Sequence, residues 1–190
     1  MLDAAFKHDW KEANERAINL PTCDPEAFGI YVHLLYHGYI YIMDPDDIFD
    51  DEDERWNGAY ILADYLQNSD FKDALIDSAK AYLRETKRVW FTLTETIYVN
   101  STTRSAHRGF TITATQLGLE SDEYVKLKYE TECCELANDL VSNWPPWHKN
   151  IKKLRAGNQW DHWHAWKWHE HKGGCYQQKR VQNRRYGIYP

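Results

Sequence analysis

Apolar residues recur at helical spacing in one segment after another of this chain, and each segment is bounded by helix-start or helix-stop chemistry. In the clearest case Phe28, Tyr31, Val32 and Leu35 stand at i, i+3, i+4 and i+7, which is one face of an α-helix. Asp24 precedes them as a side chain able to accept from the first free N–H groups, and Pro25 suits the first helical position. Gly38 is placed to end the helix. A second helix is expected from about Trp56 to Leu66, with Ala59, Leu62, Ala63 and Leu66 inward. Ser69-Asp70 is read as the cap of a third, which turns Phe71, Leu75, Ala79 and Tyr82 to the core.

Further along, the pattern is less regular. Trp90 to Tyr98 is β-branched and aromatic, so propensity allows a strand there. Ala106, Phe110, Ala114 and Leu117 argue a helix despite Gly109, and Val125, Tyr129, Cys133, Leu136 and Leu140 argue a longer one that stops at Trp144-Pro145-Pro146-Trp147. Near the N-terminus, Met1 to Asn14 reads as the end of a helix. Ala17-Ile18-Asn19-Leu20 reads as a short strand that ends at Pro21. The fold class expected is mainly α with an α+β remnant.

Charge divides the chain into two regions. Residues 144–190 hold ten Lys/Arg against two Asp/Glu, a formal +8; since the whole chain carries −6, residues 1–143 carry −14. A hydrophobic content of 43% permits a core of modest size, and nine Trp and thirteen Tyr add large buried areas. The four cysteines, Cys23, Cys133, Cys134 and Cys175, form no C-x-x-C pair and suggest no disulfide framework. The start lacks the apolar run of a secretory signal, and no stretch reaches the ~18 apolar residues of a membrane span. An intracellular setting, nucleus or cytoplasm, is the expectation.

Leu20-Pro21-Thr22-Cys23-Asp24-Pro25-Glu26-Ala27-Phe28 leads into Leu34-Leu35-Tyr36-His37-Gly38. This resembles the centre of BTB/POZ domains, where a strand ending in "LP" precedes an "EAF" helix that finishes in an "LY-x-G" turn. Ala59-Tyr60-Ile61-Leu62-Ala63-Asp64-Tyr65-Leu66-Gln67 looks like the next helix of that family, with its "LAD-x-LQ" signature, and Phe71-Lys72-Asp73-Ala74-Leu75-Ile76-Asp77 is similar to the helix after it. Ile97 to Thr102 and Ser105-Ala106-His107-Arg108 also look like the extension found in many fungal BTB-domain proteins.

The resemblance implies a partial BTB/POZ domain over residues 1–83 and a helical extension over 84–143; over 144–190, where no apolar period survives, an irregular, disordered basic Trp/His-rich tail is expected. The family's opening β-hairpin, its "VH-x-x-x-L" helix and its "S-x-x-F" turn have no counterpart here, so an N-terminally incomplete domain is expected. Those elements build the family's dimer interface, and dimerisation is accordingly placed in doubt. What the resemblance implies is a non-enzymatic interaction module, a ubiquitin-ligase adaptor or a transcription-related scaffold, with protein partners that include BTB-type self-association and a cullin scaffold. By the same resemblance, the helices at 24–37 and 70–83 lie near the surface used in such contacts.

Several chemistries stand beside that reading. The acidic run Asp44 to Glu54 has Phe49 where a calcium loop needs Gly and Arg55 where it needs a terminal carboxylate, so it reads as a solvated loop. His162, His164, His169 and His171 form two H-x-H pairs with Cys175 beyond, a donor set that suits zinc or copper but matches no familiar spacing. Lys149, Lys152, Lys153, Arg155, Lys167, Lys179, Arg180, Arg184 and Arg185 are interleaved with Trp and Tyr, a composition that suits single-stranded nucleic acid. Equally, this tail could dock on the acidic loop. Cys23, just before a helix start, and His33 with His37 one turn apart on that helix are the nearest approach to a nucleophile and base. No phosphate loop, nucleophile elbow or H-E-x-x-H motif is present. Neither a catalytic site, a cofactor, a resident metal, a nucleic-acid partner nor a membrane association is expected; nucleic-acid or metal binding through the tail is the alternative.

Overall fold

The computed structural model describes residues 20, 23–40, 42, 52–86, 91–118, 134–142 and 167–170. Six helices carry the described fold: α1 (Pro25–His37), α2 (Glu52–Tyr65), α3 (Ser69–Thr86), α4 (Phe91–Val99), α5 (Ala106–Gly118) and α6 (Cys134–Ser142). The described residues include no strand, so the architecture is mainly α. Residues 17–19 of the expected short strand and the helix end at 1–14 lie outside the described residues, as does the 125–133 part of the long helix; Leu20 is described and belongs to no strand.

Helix α1 forms as the sequence dictates. The Asp24 carboxylate accepts from the Glu26 N–H at 3.0 Å, Pro25 opens the first turn, and Gly38 closes the helix at φ 72° while its N–H donates to the Leu34 carbonyl. Ala27, Ile30 and Tyr31 are buried, and Phe28 packs beside them.

Helix α2 starts four residues earlier than expected. Glu52, Asp53 and Glu54 occupy its first turn, where three carboxylates oppose the positive end of the helix dipole. The last part of the expected acidic loop is therefore helix, and its remaining residues up to Asp51 lie outside the described ones. Trp56, Ala59, Tyr60, Leu62 and Ala63 turn inward. The helix closes in a Schellman motif: Asn68 N–H donates to the Ala63 carbonyl, Gln67 N–H donates to Asp64, and Gln67 takes the left-handed conformation at φ 51°.

Asn68 then begins α3, its side-chain oxygen accepting from the Phe71 N–H at 3.0 Å. The cap thus falls one residue before the Ser69-Asp70 expected. Residues Phe71 to Ile76 are all buried, as are Ala79 and Leu83. Helices on several sides cover α3, which is why six consecutive residues, including Lys72 and Asp73, leave solvent.

The segment read as a possible strand is helix α4. Leu93, Thr94, Ile97 and Tyr98 fall on one helical face and are buried. The Thr92 hydroxyl donates to Asp53, and Asn100 and Ser101 side chains donate to the Thr96 and Ile97 carbonyls at the helix end. Burial on a helical face outweighs β propensity, which at best describes fit to a pleated surface. Helix α5 forms despite Gly109, with Phe110 and Ala114 in the core. Leu136 and Leu140 of α6 pack with Tyr98 in a second, smaller cluster.

Residues 167–170 are not part of an unstructured tail. Trp168 is 3% exposed and joins the main core, its ring edge-on to Phe110 with centroids 5.5 Å apart. The rest of the basic region lies outside the described residues.

Candidate functional site

Three buried polar side chains from three helices meet at the centre of the body. Tyr60 of α2 lies 2.7 Å from His107 Nδ1, and His107 Nε2 lies 3.0 Å from Asp73 Oδ1 of α3. His107 and Asp73 are fully buried. An ionised carboxylate only accepts, so His107 Nε2 carries a proton and donates it to Asp73, while Nδ1 faces the Tyr60 hydroxyl. Burial raises the Tyr60 phenol well above its ordinary range, and the negative charges of Glu170, Asp64 and Asp73 add to this, so it stays a donor. Burial also pushes the Asp73 carboxyl up, but hydrogen bonds from His107 and from the Glu170 N–H, with the nearby imidazoles of His107 and His169, outweigh it and leave Asp73 below the usual carboxylate range.

A Tyr–His–Asp chain has the form of a proton relay. Here it is sealed inside the helices, and it serves as a polar tie between α2, α3 and α5. Trp56 stacks on Tyr60 at 5.1 Å and donates its indole N–H to the Leu75 carbonyl at 2.9 Å. The Lys72 ammonium lies 5.1 Å from the Tyr60 ring centroid. It also pairs with Asp64 and donates to the Asn100 carbonyl.

A second tie surrounds Arg108. Its guanidinium donates to the Tyr98 and Ser101 carbonyls, each at 2.9 Å, and pairs with Glu135 of α6. Its carbon lies 4.5 Å from the Tyr98 ring centroid, and the Tyr98 hydroxyl donates to Asp139 at 2.8 Å. Lys72 and Arg108 thus place two cations on carbonyls at the C-terminal end of α4, where the helix dipole favours positive charge.

The residues singled out for catalysis do not assemble. The Cys23 thiol donates to the Asp24 carbonyl at 3.4 Å, and burial, then the Asp24 charge, push its pKa up. This is the reverse of an activated thiolate. His33 Nδ1 donates to the Tyr39 carbonyl and His37 Nδ1 to the His33 carbonyl, with the two rings stacked at 4.2 Å. Both imidazoles finish the end of α1. Of the tail residues, Lys167 is described and lies over Trp168 at 4.9 Å, and His169 is described and bonds Asp77 at 3.1 Å. His162, His164, His171, Cys175 and the other basic residues lie outside the described residues. Among the described residues no group of three or more His, Cys, Asp and Glu side chains is placed to hold a metal ion.

Sequence reasoning missed Tyr60, Asp73, His107 and Arg108 as partners, because 34 residues separate Asp73 from His107 and no local motif joins them. One signal was available. His107, Thr111 and Thr115 repeat at helical spacing beside Phe110 and Ala114, so a titratable ring sits on an apolar face and needs a buried partner.

The outward-facing apolar side chains form a different kind of site. At the end of α1, Leu35 is 52% exposed, Tyr36 71% and Tyr39 50%. Ile61 and Tyr65 of α2 are also about half exposed. Among the described residues no helix is long and apolar enough to cross a membrane. Comparison with protein-family models, with curated proteins and with solved structures found no match to this chain.

Proposed function

We propose that this chain is an intracellular protein–protein interaction module of the BTB/POZ type, acting as an adaptor or scaffold through the C-terminal end of α1. The observation that carries the reading is the exposure of Leu35, Tyr36 and Tyr39, three large side chains within five residues. Isolated apolar residues on a surface are ordinary, whereas aromatic side chains gathered at one helix end are what protein interfaces use as anchors. Leu35 and Tyr36 stand in the helix that the BTB/POZ resemblance associates with partner binding, and Tyr39 follows directly after its cap. The other helix so associated, α3, buries its large apolar side chains Phe71, Leu75, Ile76 and Leu83 and presents none of them as an anchor.

The buried ties around His107 and Arg108 support a role without chemistry. They hold the helices in place behind the exposed face, and the relay they contain is closed to solvent. Of the metal donors on which the tail alternative draws, His169 is engaged by Asp77.

The test is sedimentation velocity of the full chain, alone and mixed with the N-terminal region of a cullin scaffold. The proposal predicts a faster-sedimenting species in at least one case, lost on Tyr36→Asp. A chain that sediments as a monomer throughout, at tens of micromolar, contradicts it.

A further inference from the structure

Independently of that reading, we propose that the groove between α3 and α5 is a peptide-docking site, filled here by the chain's own Lys167–Glu170 segment and able to take the same segment from a second copy of the chain. Trp168 is the anchor: its indole enters the core beside Phe110 and over Gly109, 3.6 Å from where a Cβ at that glycine would stand. On either side of the indole's landing point the contacts are polar. His169 Nε2 meets Asp77 Oδ1 at 3.1 Å, and the Glu170 N–H donates to Asp73 Oδ1 at 2.7 Å. The Glu170 carboxylate stands 4.0 Å from His107 Nδ1. Asp73 and Asp77 are one turn apart on α3 and so present both carboxylates on one face.

Three features mark the segment as a ligand of the body rather than a part of its frame. First, it is neither helix nor strand, and it is held by one inserted aromatic and a few charge-assisted hydrogen bonds, which is how short peptides dock. Second, the His107–Asp73 and Tyr60–His107 hydrogen bonds join α2, α3 and α5 to one another without it. Third, the segment lies in a region of formal charge +8 and the body that receives it lies in one of −14. That complementarity draws the tail to an acidic surface whether the surface belongs to its own chain or to another copy. Exchange of an identical element between copies needs no new interface.

The experiment measures binding of a fluorescein-labelled synthetic peptide, His164 to Lys172, to full-length protein by anisotropy. Wild-type chain is compared with the Trp168→Ala chain, whose own segment has lost its anchor. The proposal predicts that the variant keeps its helical circular dichroism and binds the peptide saturably, one to one, at least tenfold more tightly than wild type does. A peptide with Trp168→Ala should bind at least tenfold more weakly, and Asp77→Asn in the protein should weaken binding of the unaltered peptide several-fold. His169→Ala protein, which keeps the indole anchor, should bind the peptide with intermediate affinity. Absence of saturable binding to a folded Trp168→Ala chain overturns the proposal. So does a Trp168→Ala chain that fails to fold, since the segment is then framework, and so does equal binding of a scrambled peptide, which makes the groove a general acceptor of tryptophan. Tyr36→Asp leaves peptide binding unchanged, so failure here is distinct from failure of the α1 surface.

Discussion

Asp73 is the residue on which the interior most depends. It receives His107 Nε2–H and the Glu170 N–H on one oxygen, in a position closed to water. Replacing it with Ala leaves a buried imidazole N–H without its acceptor and should cost about 3 kcal/mol in chemical denaturation. The same group sets the acid limb of stability. Its folded pKa lies below the ordinary value of 3.8, so its contribution is fully present above that value and is lost as the pH falls through the folded value. Stability followed by urea titration should therefore hold near pH 5 and fall below about pH 4, with Asp73→Asn flattening that fall. An unchanged acid limb in the variant would show that Asp73 is not the group responsible. None of this was visible in a local motif: Phe71 and Leu75 announce an inner face, but a carboxylate between them reads as solvent-facing until α5 is placed against it.

At the scale of elements, the local rules worked where a cap and a face agreed. Asp24, Pro25 and Gly38 delimit α1 as their chemistry requires. Leu62 is buried on α2 as its spacing demands, so Leu62→Asp should lower stability by several kcal/mol; a variant with unaltered melting would contradict the packing of α2. The boundary between α2 and α3 was less legible, because Asn68 serves both helices. It donates from its backbone to close one, and its side chain caps the other while also donating to the Tyr31 hydroxyl at 3.2 Å. Gln67 carries the strain of that tight connection in the left-handed region. Gln67→Gly should raise stability by about 0.5–1 kcal/mol, whereas Asn68→Ala should lower it by about 1 kcal/mol. Thermal melts of the two variants should shift in opposite directions. Helix α4 was open to a strand reading for a physical reason: Thr92, Thr94, Thr96 and Ile97 favour a strand in isolation, and only contact with α2 and α5 selects the helical face.

Over the whole molecule, the described helices form one main core, with α6 attached through Arg108, Tyr98 and their carboxylate partners. The mainly α class was readable from periodicity, since a spacing of three and four residues recurs in each described helix. The packing of Trp168 was not. A single tryptophan in a region without apolar period gives no sequence signal, and only the groove between α3 and α5 explains its burial. Helix α1, on which the proposed surface stands, was legible from its caps and its face, but which of its side chains remain outside depends on how α2 covers it. That surface is the central claim, and it is tested most directly by isothermal titration of the full chain, wild type and the Leu35→Asp/Tyr36→Asp double variant, into the N-terminal region of a cullin scaffold. Both substitutions fall on exposed positions, so they should change folding stability by no more than about 0.5 kcal/mol each. The account predicts heat of binding with the wild type and none with the equally stable variant; equal binding by the two proteins would place the interface elsewhere and contradict it.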